Sequence, residues 1–408
     1  MNTRTDFTMP IPPEVAFVLD RLTNAGYTAY CVGGCVRDCL MGKTPSDYDI
    51  TTSAKPDEMQ AVFADQRVVE TGLKHGTLTV VLGGMNIEIT TYRIDGAYGD
   101  CRHPESVTFT DRLSDDLCRR DFTVNAMAYS VRDGLVDLFG GCEDLEKKTI
   151  RCVGRAEERF SEDGLRILRA LRFSSVLGFR PDDECADAVF SLASLLGKIS
   201  RERIYAEITK MLCGKDSASV MKRFSSVIAS AIGVSEESVS RAADYIARDK
   251  NEHGTPDPMM RYAWLLSGYG EKEAAAIFDT LKPSRDDKRA MLMYLAHQSD
   301  DISGKYGVCR LISSTDDSFP EKLARFLLAS GAMTESGYLS VKAMAEAMIS
   351  QNRCRSLSML EVNGTDLSAA GLCGKEIGET LSALLDRVMR GDIPNEHNAL
   401  ISSVKIPK

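Results

Sequence analysis

The stretch CVGGCVRDCLMGKTPSDYDITTSA, residues 31–54, decides the fold, because it links a glycine pair to two aspartates in one short unit. The β-branched and aromatic content of residues 47–52 predicts a strand, and the two-residue period of a strand points Asp47 and Asp49 to the same face. Neighbouring carboxylates repel each other unless a divalent cation neutralises them, and Mg²⁺ is commonly held by one or two carboxylates plus substrate phosphates. Asp47 and Asp49 are therefore candidate metal ligands.

The glycine pair upstream predicts a phosphate-binding loop. Gly33 and Gly34 let the backbone approach a ligand closely, and they open a helix whose N-terminal N–H groups favour an anion. Arg37, in the first turn of that helix, adds a fixed positive charge. Taken singly, a Gly-Gly pair is usually a turn and an Asp-x-Asp usually solvated surface. Their order and spacing instead indicate a nucleoside triphosphate site and nucleotidyl transfer.

These residues, in this order, resemble the nucleotidyltransferase superfamily related to DNA polymerase β. Within it they resemble the bacterial class II tRNA nucleotidyltransferases, the CCA-adding enzymes, and their poly(A) polymerase relatives. The resemblance implies an α+β fold, in which a polymerase-β-like head with a mixed sheet and helices precedes an all-helical neck, body and tail. It is dense over residues 27–212, thin over about 215–355, and returns in the tail.

The pattern along the chain agrees with that division. Residues 14–25 predict a helix, and residues 28–32, 49–52, 77–82 and 86–92 predict strands, whereas the chain beyond about residue 150 is helical almost throughout. We therefore predict a head at 1–145, a neck that recognises the base at 146–215, a body at 216–355 and a tRNA-binding tail at 356–408.

Composition limits the class of protein. The N-terminus has no apolar signal core and no run is long enough to span a membrane, which predicts a cytoplasmic protein with no membrane partner. A net charge of −9, from 50 basic and 59 acidic residues, argues against coating nucleic acid along the whole chain, but a local basic surface suffices for tRNA. The 12 cysteines are scattered without metal-ligand spacing, which predicts small buried hydrophobic residues in a reducing compartment.

Two further segments match family motifs. Glu88, a charged residue in an apolar strand pattern, occupies the place of the family's third carboxylate, and we predict that it supports the metal pair rather than ligating directly. A solvent-facing acid on an edge strand is the alternative.

The segment CRRDFTVNAMAYS, residues 118–130, carries Arg119 and Arg120, whose guanidinium forks suit phosphate. The resemblance implies that Arg120 contacts the nucleotide. We expect Asp121 to orient arginines or backbone.

The segment SEDGLRILRALRFSS, from residue 161, predicts base recognition. On a helix, Asp163 and Arg166 are neighbours, and a carboxylate with a guanidinium can imitate the Watson–Crick edge of a partner base. The resemblance assigns this pair to reading CTP and ATP. Arg169 is expected to reach the nucleotide, and Arg172 to contribute least, because steps of three residues fan the four side chains around roughly half the helix. A surface ion pair is the alternative. Leu165, Leu168 and Leu171 should pack the opposite side into the core.

The resemblance therefore implies an enzyme that adds the 3′-terminal CCA to tRNA from CTP and ATP, with two Mg²⁺ ions held by Asp47 and Asp49. A poly(A) polymerase, a CC-only enzyme and an RNA-binding protein with an inactive head are the alternatives. Residues 95–104, DGAYGDCRHP, resemble a flexible loop that reshapes the pocket for ATP, so deleting residues 96–103 should stop the product at CC. The sequence leaves the oligomeric state open.

Overall fold

The computed structural model of the chain describes residues 3–4, 7–70, 72–73, 76–96, 107–249 and 256–404. The strands within these residues lie almost entirely in the first half of the chain. In chain order they are β1 (Thr3–Arg4), β2 (Ala29–Val32), β3 (Asp49–Thr52), β4 (Arg67–Val69), β5 (Thr77–Leu82), β6 (Met85–Thr91), β7 (Arg93–Asp95), β8 (Val107–Phe109), β9 (Met127–Ser130), β10 (Gly134–Asp137), β11 (Thr149–Ile150) and β12 (Arg180–Pro181).

Eight of these strands form one mixed sheet, in the order β1-β10-β9-β2-β3-β6-β5-β4. Its pairs are antiparallel except for β3 and β6, which run parallel. This parallel pair sets Asp49 beside Glu88. The sheet therefore brings together two acidic residues that lie far apart in sequence.

The sheet is stable because it buries apolar side chains on both faces. Ile50, Leu78 and Ile89 belong to a cluster of buried side chains on one face, whereas Tyr30 and Tyr92 belong to a separate cluster. A sheet covered on both faces favours strands with nearly continuous apolar runs. All four residues of β2 are buried accordingly.

The helices of the described residues begin around this sheet and then dominate the chain. They are α1 (Pro13–Asn24), α2 (Gly34–Leu40), α3 (Pro56–Val62), α4 (Leu113–Cys118), α5 (Gly141–Lys147), α6 (Ala156–Glu162), α7 (Leu165–Leu177), α8 (Asp183–Ser191), α9 (Arg201–Leu212), α10 (Ser217–Arg223), α11 (Ser225–Ile232), α12 (Glu236–Arg248), α13 (Pro258–Leu266), α14 (Glu271–Thr280), α15 (Arg285–His297), α16 (Lys305–Ser314), α17 (Phe319–Ser330), α18 (Glu335–Ser350), α19 (Gly364–Ala369), α20 (Lys375–Arg390) and α21 (His397–Ser402). The predicted α+β class, with a mixed sheet first and helices after it, is confirmed.

Helix α7 packs against α9 in the helical region that follows the sheet. Leu165, Leu168 and Leu171 are buried, as their three-residue spacing predicts. Ser175 donates a hydrogen bond of 2.6 Å from its hydroxyl to the carbonyl oxygen of Met211 on α9. Because this packing leaves α7 little freedom to rotate, it also determines the direction in which the polar side chains of the helix point.

The chain divides into two compact units, one of residues 1–239 with 280–282 and one of residues 240–279 with 283–408. The second unit has an aromatic core, in which Trp264 stacks on Phe326 with ring centroids 5.8 Å apart. Near its C-terminus, Leu367, Leu384 and Leu400 belong to a smaller cluster. The finer division at residues 145, 215 and 355 stays a prediction. Among the described residues, no helix combines the length and apolar character needed to cross a membrane.

The strands predicted from the sequence are confirmed with small differences in their bounds. The strands predicted at residues 49–52 and 77–82 are β3 and β5 with the same bounds, and the strand predicted at 86–92 is β6, shifted by one residue. The prediction for the cysteines is right only in part. Cys31, Cys35 and Cys39 are buried, whereas Cys118 and Cys373 are exposed.

Candidate active site

The glycine loop between β2 and α2 depends on a backbone conformation that side chains disfavour. Gly33 has φ 79°, in the region that glycine adopts without strain, and its N–H donates to the carbonyl oxygen of Met127. A Cβ atom on Gly33 would lie 3.2 Å from Nη1 of Arg120, and one on Gly34 would lie 3.5 Å from Nη2 of Arg37. Two guanidinium groups therefore lie against this loop, which suits an anionic ligand.

The carboxylates predicted to bind metal lie on the next strand. β3 begins at Asp49, so the prediction of a strand from residue 47 is wrong by two residues, and Asp47 precedes the strand. The alternation still holds through this region, since Asp47 and Asp49 are exposed whereas Tyr48 and Ile50 are buried. Glu88 pairs in register with Asp49 on the neighbouring strand.

The negative charges of Asp47 and Glu88 act on Asp49. Desolvation by nearby groups, followed by the negative charges of Asp47 and Glu88, raises the pKa of Asp49 to about 6, against a smaller opposing effect of Arg120. A divalent cation would relieve this repulsion. No three His, Cys, Asp or Glu side chains in the described ranges are arranged to hold a metal by themselves. The donor set therefore fits a cation that takes its other ligands from a substrate.

Arg37 is held by protein groups on several sides. Its Nη1 donates to Oδ1 of Asn125 at 2.5 Å, its Nε donates to Oδ1 of Asp38 at 2.9 Å, and its guanidinium carbon lies 5.4 Å from the ring centroid of Phe173. It is the fourth residue of α2 and is buried, and its backbone N–H closes the first turn of the helix by donating to the carbonyl oxygen of Gly33. Because Phe173 belongs to α7, Arg37 ties the glycine loop to that helix.

Sequence reasoning missed Asp116, a fully buried carboxylate at the centre of the arginine pair. Its Oδ1 accepts hydrogen bonds from Nε and Nη2 of Arg119, at 3.0 and 2.7 Å. Its Oδ2 accepts from Nη2 of Arg120 at 3.2 Å and from the hydroxyl of Thr51 at 3.1 Å. The signal was present, because acids three and four residues before arginines at a helix end are placed to pair with them.

Asp121 orients an arginine and the backbone, as predicted. Its Oδ2 accepts from Nε of Arg169 at 2.7 Å, while its Oδ1 accepts from the backbone N–H of Phe122 at 2.8 Å. Burial alone would raise the pKa of Asp121, but the charge of Arg169 outweighs it and lowers the pKa to about 2. Arg169 is thus engaged with protein and remains one-third exposed.

The base-reading pair differs from its prediction in geometry. Asp163 has φ −135° and ψ 104° and lies between α6 and α7, so placing it on a helix with Arg166 was wrong. Its Oδ1 accepts from the backbone N–H of Leu165 at 3.0 Å, the local bond that favours aspartate before a helix start. Its Oδ2 accepts from Nη2 of Arg203 at 2.8 Å.

Arg166 has other partners than Asp163. Its Nη1 donates to Oε2 of Glu162 at 2.5 Å, and its Nη2 donates to the carbonyl oxygen of Arg119 at 3.1 Å. The second bond joins α7 to the segment that carries the arginine pair. The side chains of Asp163 and Arg166 thus have these other partners, while the backbone N–H of Arg166 donates to the carbonyl oxygen of Asp163 at 2.9 Å, at the junction of α6 and α7.

Arg172 forms an internal pair in which Nε donates to Oε2 of Glu207 on α9 at 2.6 Å. Its guanidinium carbon lies 3.8 Å from the ring centroid of Phe173, and that of Arg169 lies 5.4 Å from the same ring. The arginines of α7 thus have different carboxylate partners, as the fan of their spacing indicates. Arg172 contributes to packing between α7 and α9.

The predicted flexible loop falls largely outside the described residues, which omit 97–106. Its flanks, β7 and β8, pair as an antiparallel ribbon. Asp95, the last residue of β7, lies 3.6 Å from Nη1 of Arg119. A cavity of about 210 Å³ lies at this end of the ribbon and does not include the carboxylates of β3 and β6; its lining is Ile94, Asp95, Asp115, Cys118, Arg119, Arg159 and Glu162.

The mixed sheet, the glycine loop with its two guanidinium groups and the in-register acids define a nucleotidyltransferase head. Comparison with known families agrees. The family described as "Poly A polymerase head domain" matches residues 29–151, and the one described as "Probable RNA and SrmB- binding site of polymerase A" matches residues 178–225.

Similar proteins identify the family more closely. A CCA-adding enzyme of Leuconostoc mesenteroides is 34% identical over 391 residues, which cover 94% of this chain and 93% of that protein. One from Lactobacillus delbrueckii is 46% identical over 231 residues, which cover 57% of this chain and 55% of the relative, so that alignment spans about half the relative's length. The chain belongs to the family of the CCA-adding enzymes.

Solved structures agree with this assignment. The Bacillus stearothermophilus CCA-adding enzyme in complex with CTP matches with a TM-score of 0.81 and 30% identity, over 96% of this chain and 97% of that one. The Thermotoga maritima CCA-adding enzyme complexed with tRNA matches with a TM-score of 0.66 over 96% and 95% of the two chains. At 21% identity, that second likeness supports the fold alone.

Proposed function

We propose that this chain adds the 3′-terminal CCA sequence to tRNA, using CTP and ATP and releasing pyrophosphate. The observation that carries the proposal is the in-register pair Asp49 and Glu88, with Asp47 beside it, next to a glycine loop faced by Arg37 and Arg120. Membership of the family over nearly the whole chain supports the choice of tRNA, CTP and ATP as substrates.

Enzymes of this class generally use divalent metal ions, and we assign two Mg²⁺ ions to Asp47 and Asp49, with Glu88 in support. The residues fit such ions, because the acids repel one another and form no ion pair among the described residues. When bound, the ions supply activation of an attacking hydroxyl and neutralisation of the phosphates. Such ions would offset the repulsion from Asp47 and Glu88 that contributes to the raised pKa of Asp49.

The nucleotide contacts follow from the loop and from α7. Gly34 would allow the triphosphate to approach the backbone, and Arg37 and Arg120 would lie along it. Asp163 and Arg166 would read the base by hydrogen bonds, because a site built for such bonds strongly rejects a base with the wrong donors and acceptors.

Arg169 and Arg172 are the last two residues that we assign to nucleotide binding, and their role is smaller. Each is paired with a carboxylate of the protein, Asp121 and Glu207 respectively. Their effect on the nucleotide would therefore come mainly through the position of α7. The one-third exposure of the Arg169 side chain leaves that residue able to reach a ligand as well.

The reaction needs no nucleophile from the protein. The 3′-hydroxyl oxygen of the tRNA would attack the α-phosphorus of the incoming nucleotide, forming a phosphodiester while the bond to the pyrophosphate oxygen breaks. The hydroxyl proton leaves to solvent, and the electron pair of the broken bond leaves with pyrophosphate. The protein's part is to align the two substrates, which is the larger share of catalysis in phosphoryl transfer.

The test is an extension assay on tRNA that ends at the discriminator base, with CTP and ATP offered separately and together. We expect two additions with CTP alone and three with both nucleotides, ending at CCA. Termination at CC with both nucleotides would identify a CC-only enzyme, and long tails with ATP alone a poly(A) polymerase. Binding of tRNA without any incorporation would identify an inactive RNA-binding protein. Each of these three outcomes would overturn the proposal.

A further inference from the structure

Asp116 is a carboxylate that the chemistry of the site does not use directly, although the arginine pair is built around it. It lies on α4 with none of its surface exposed. Both of its oxygens accept two hydrogen bonds each, from Arg119 on one side and from Arg120 and Thr51 on the other. A carboxylate can accept about four hydrogen bonds, so Asp116 is fully used.

Burying such a charge is unfavourable unless it is paired and hydrogen-bonded. Burial would raise the pKa of Asp116, but the positive charges of Arg120 and Arg119 outweigh it and lower the pKa below its usual range. Asp116 is therefore charged at neutral pH. It belongs to a network whose members hold one another in place.

The network links the arginine pair to the strand of the metal site. Thr51 lies two residues after Asp49 on β3, so the two side chains point to the same side of the strand. Its hydroxyl is 3.1 Å from Oδ2 of Asp116, the same oxygen that accepts from Arg120, and shares its one proton with the carbonyl oxygen of Thr90 at 3.2 Å. One carboxylate oxygen thus bonds both to the strand that carries Asp49 and to the arginine that lies against Gly33.

Arg120 itself has donors left over. Its Nε is buried and has no hydrogen-bond partner among the described residues, while its Nη1 faces Gly33. Leaving a buried donor unpaired is costly, and such a group in a native structure calls for an explanation. An acceptor supplied by a ligand at the glycine loop would provide one.

We propose that Asp116 is a positioning residue, which holds Arg120 at a fixed place between the glycine loop and the strand of Asp49. The inference rests on the proposed function, since it specifies how the triphosphate is aligned with Arg120 and with the carboxylates of the metal site. Asp116 itself contacts neither substrate. Its loss would free a long side chain to adopt other rotamers, so the nucleotide would bind less well even with every contacting residue present.

Asp116→Asn tests the proposal, because asparagine keeps the size and loses the charge that holds two guanidinium groups. We expect the KM for CTP to rise about tenfold, with kcat changed far less, as loss of a charge-assisted alignment affects binding first. Asp249→Asn is the matched control. Asp249 is another buried carboxylate between arginines, accepting from Arg325 at 2.5 and 2.6 Å, but it belongs to the second unit. It should lose stability and leave the KM for CTP unchanged.

A double-mutant cycle with Arg120→Ala tests whether Asp116 acts through Arg120 or supports the fold independently of it. If Asp116 acts through Arg120, adding Asp116→Asn to Arg120→Ala should raise the KM little further, whereas independent roles would make the two effects add. Additive effects, or an unchanged KM for CTP in a folded Asp116→Asn variant, would overturn the proposal.

Thr51→Val supplies a milder test in case Asp116→Asn does not fold. Valine has the shape of threonine and suits a strand, but lacks the hydroxyl that bonds Asp116. The KM for CTP should rise by a few-fold, and an unchanged value would count against the inference. Equilibrium binding of CTP should be measured on every variant as well. A wild-type chain that binds CTP but never incorporates it would refute the proposed function, whereas equal CTP binding by wild type and Asp116→Asn would refute the positioning role.

Discussion

Asp47, Asp49 and Glu88 carry three negative charges on or beside adjacent strands, and none forms an ion pair within the described part of the chain. The acids that hold the arginines behave differently: the acidic residues Asp116, Asp121, Asp163 and Glu207 each accept hydrogen bonds from a named guanidinium group. Unpaired like charges are unfavourable for folding, so their presence indicates a site that a ligand completes. Paired charges indicate a scaffold that is complete before the ligand arrives.

This contrast separates two kinds of functional residue. Substituting an unpaired acid should remove activity and leave stability intact, whereas substituting a buried, paired acid should reduce stability first. Four substitutions test the distinction, and they fall in order of expected effect.

Asp49→Asn should have the largest effect, and only on activity. We expect incorporation of both C and A to fall roughly a thousandfold or more, because a lost metal ligand removes several kcal/mol of transition-state stabilisation. The free energy of unfolding of the metal-free protein should stay the same or rise, since the substitution removes a charge that Asp47 and Glu88 repel. Single-turnover incorporation and urea denaturation measure the two quantities. Turnover near the wild-type rate in Mg²⁺ would remove Asp49 from the metal site.

Asp121→Asn should show the opposite pattern. Breaking a buried ion pair leaves an uncompensated charge, and we expect a loss of about 2–4 kcal/mol, toward the low end because Arg169 keeps some contact with solvent. Urea denaturation at pH 7 measures the loss. A variant as stable as the wild type would show that the pair is dispensable for folding.

The same pair predicts a dependence on pH. The pKa of Asp121 is lowered from 3.8 to about 2, so its contribution to stability is present above the higher value and is lost as the pH falls toward the lower one. The stability difference between wild type and Asp121→Asn should therefore be constant from neutral pH down to about pH 5 and shrink below about pH 4. A difference that shrinks already between pH 7 and pH 5 would point to another titrating group.

Several features of the fold could be predicted from local patterns in the sequence. The strand β3, the helical remainder and the glycine loop were predictable, because alternation of buried and exposed residues and the freedom of glycine are local properties. The family resemblance placed Glu88 near the metal pair, and the sheet topology sets it in register with Asp49. Local patterns therefore located the residues, and tertiary pairing determined their neighbours.

The arginines of α7 show what local sequence patterns do not predict. Their spacing correctly predicts that they cannot converge on one point, but it does not identify Asp121 and Glu207 as their partners. Asp163 was placed on the helix with Arg166, whereas it precedes the helix and bonds Arg203. A helix boundary can shift by one or two residues without changing the periodicity, and an aspartate just before a helix looks like a helical one in a sequence.

Arg203→Ala should have a smaller effect, and on nucleotide choice. Arg203 holds Asp163 through its Nη2 at 2.8 Å, and without it the bond from the N–H of Leu165 is the one that the described residues leave to the carboxylate. We expect the preference for CTP over UTP to fall about tenfold, corresponding to about 1.4 kcal/mol of lost discrimination. Initial rates with each nucleotide on tRNA lacking CCA measure it, and Arg203→Lys should restore part of the preference. Equal slowing with both nucleotides would mean that Arg203 only supports the fold.

Glu143→Gln should have the smallest effect, and it tests whether burial is the reason for the difference between pairs. Glu143 and Lys147 form an ion pair one turn apart on α5, with both side chains 64% exposed. Water screens such a pair and the two side chains lose entropy in forming it, so exposed pairs contribute little to folding. The pKa of Glu143 is lowered by its hydrogen bond from Lys147, which shows that the charges interact without showing that the interaction stabilises the protein. We expect a urea midpoint indistinguishable from that of the wild type, and normal CCA addition. A loss of stability comparable to that of Asp121→Asn would mean that the contribution of these ion pairs to stability comes from pairing itself rather than from burial of the paired charge.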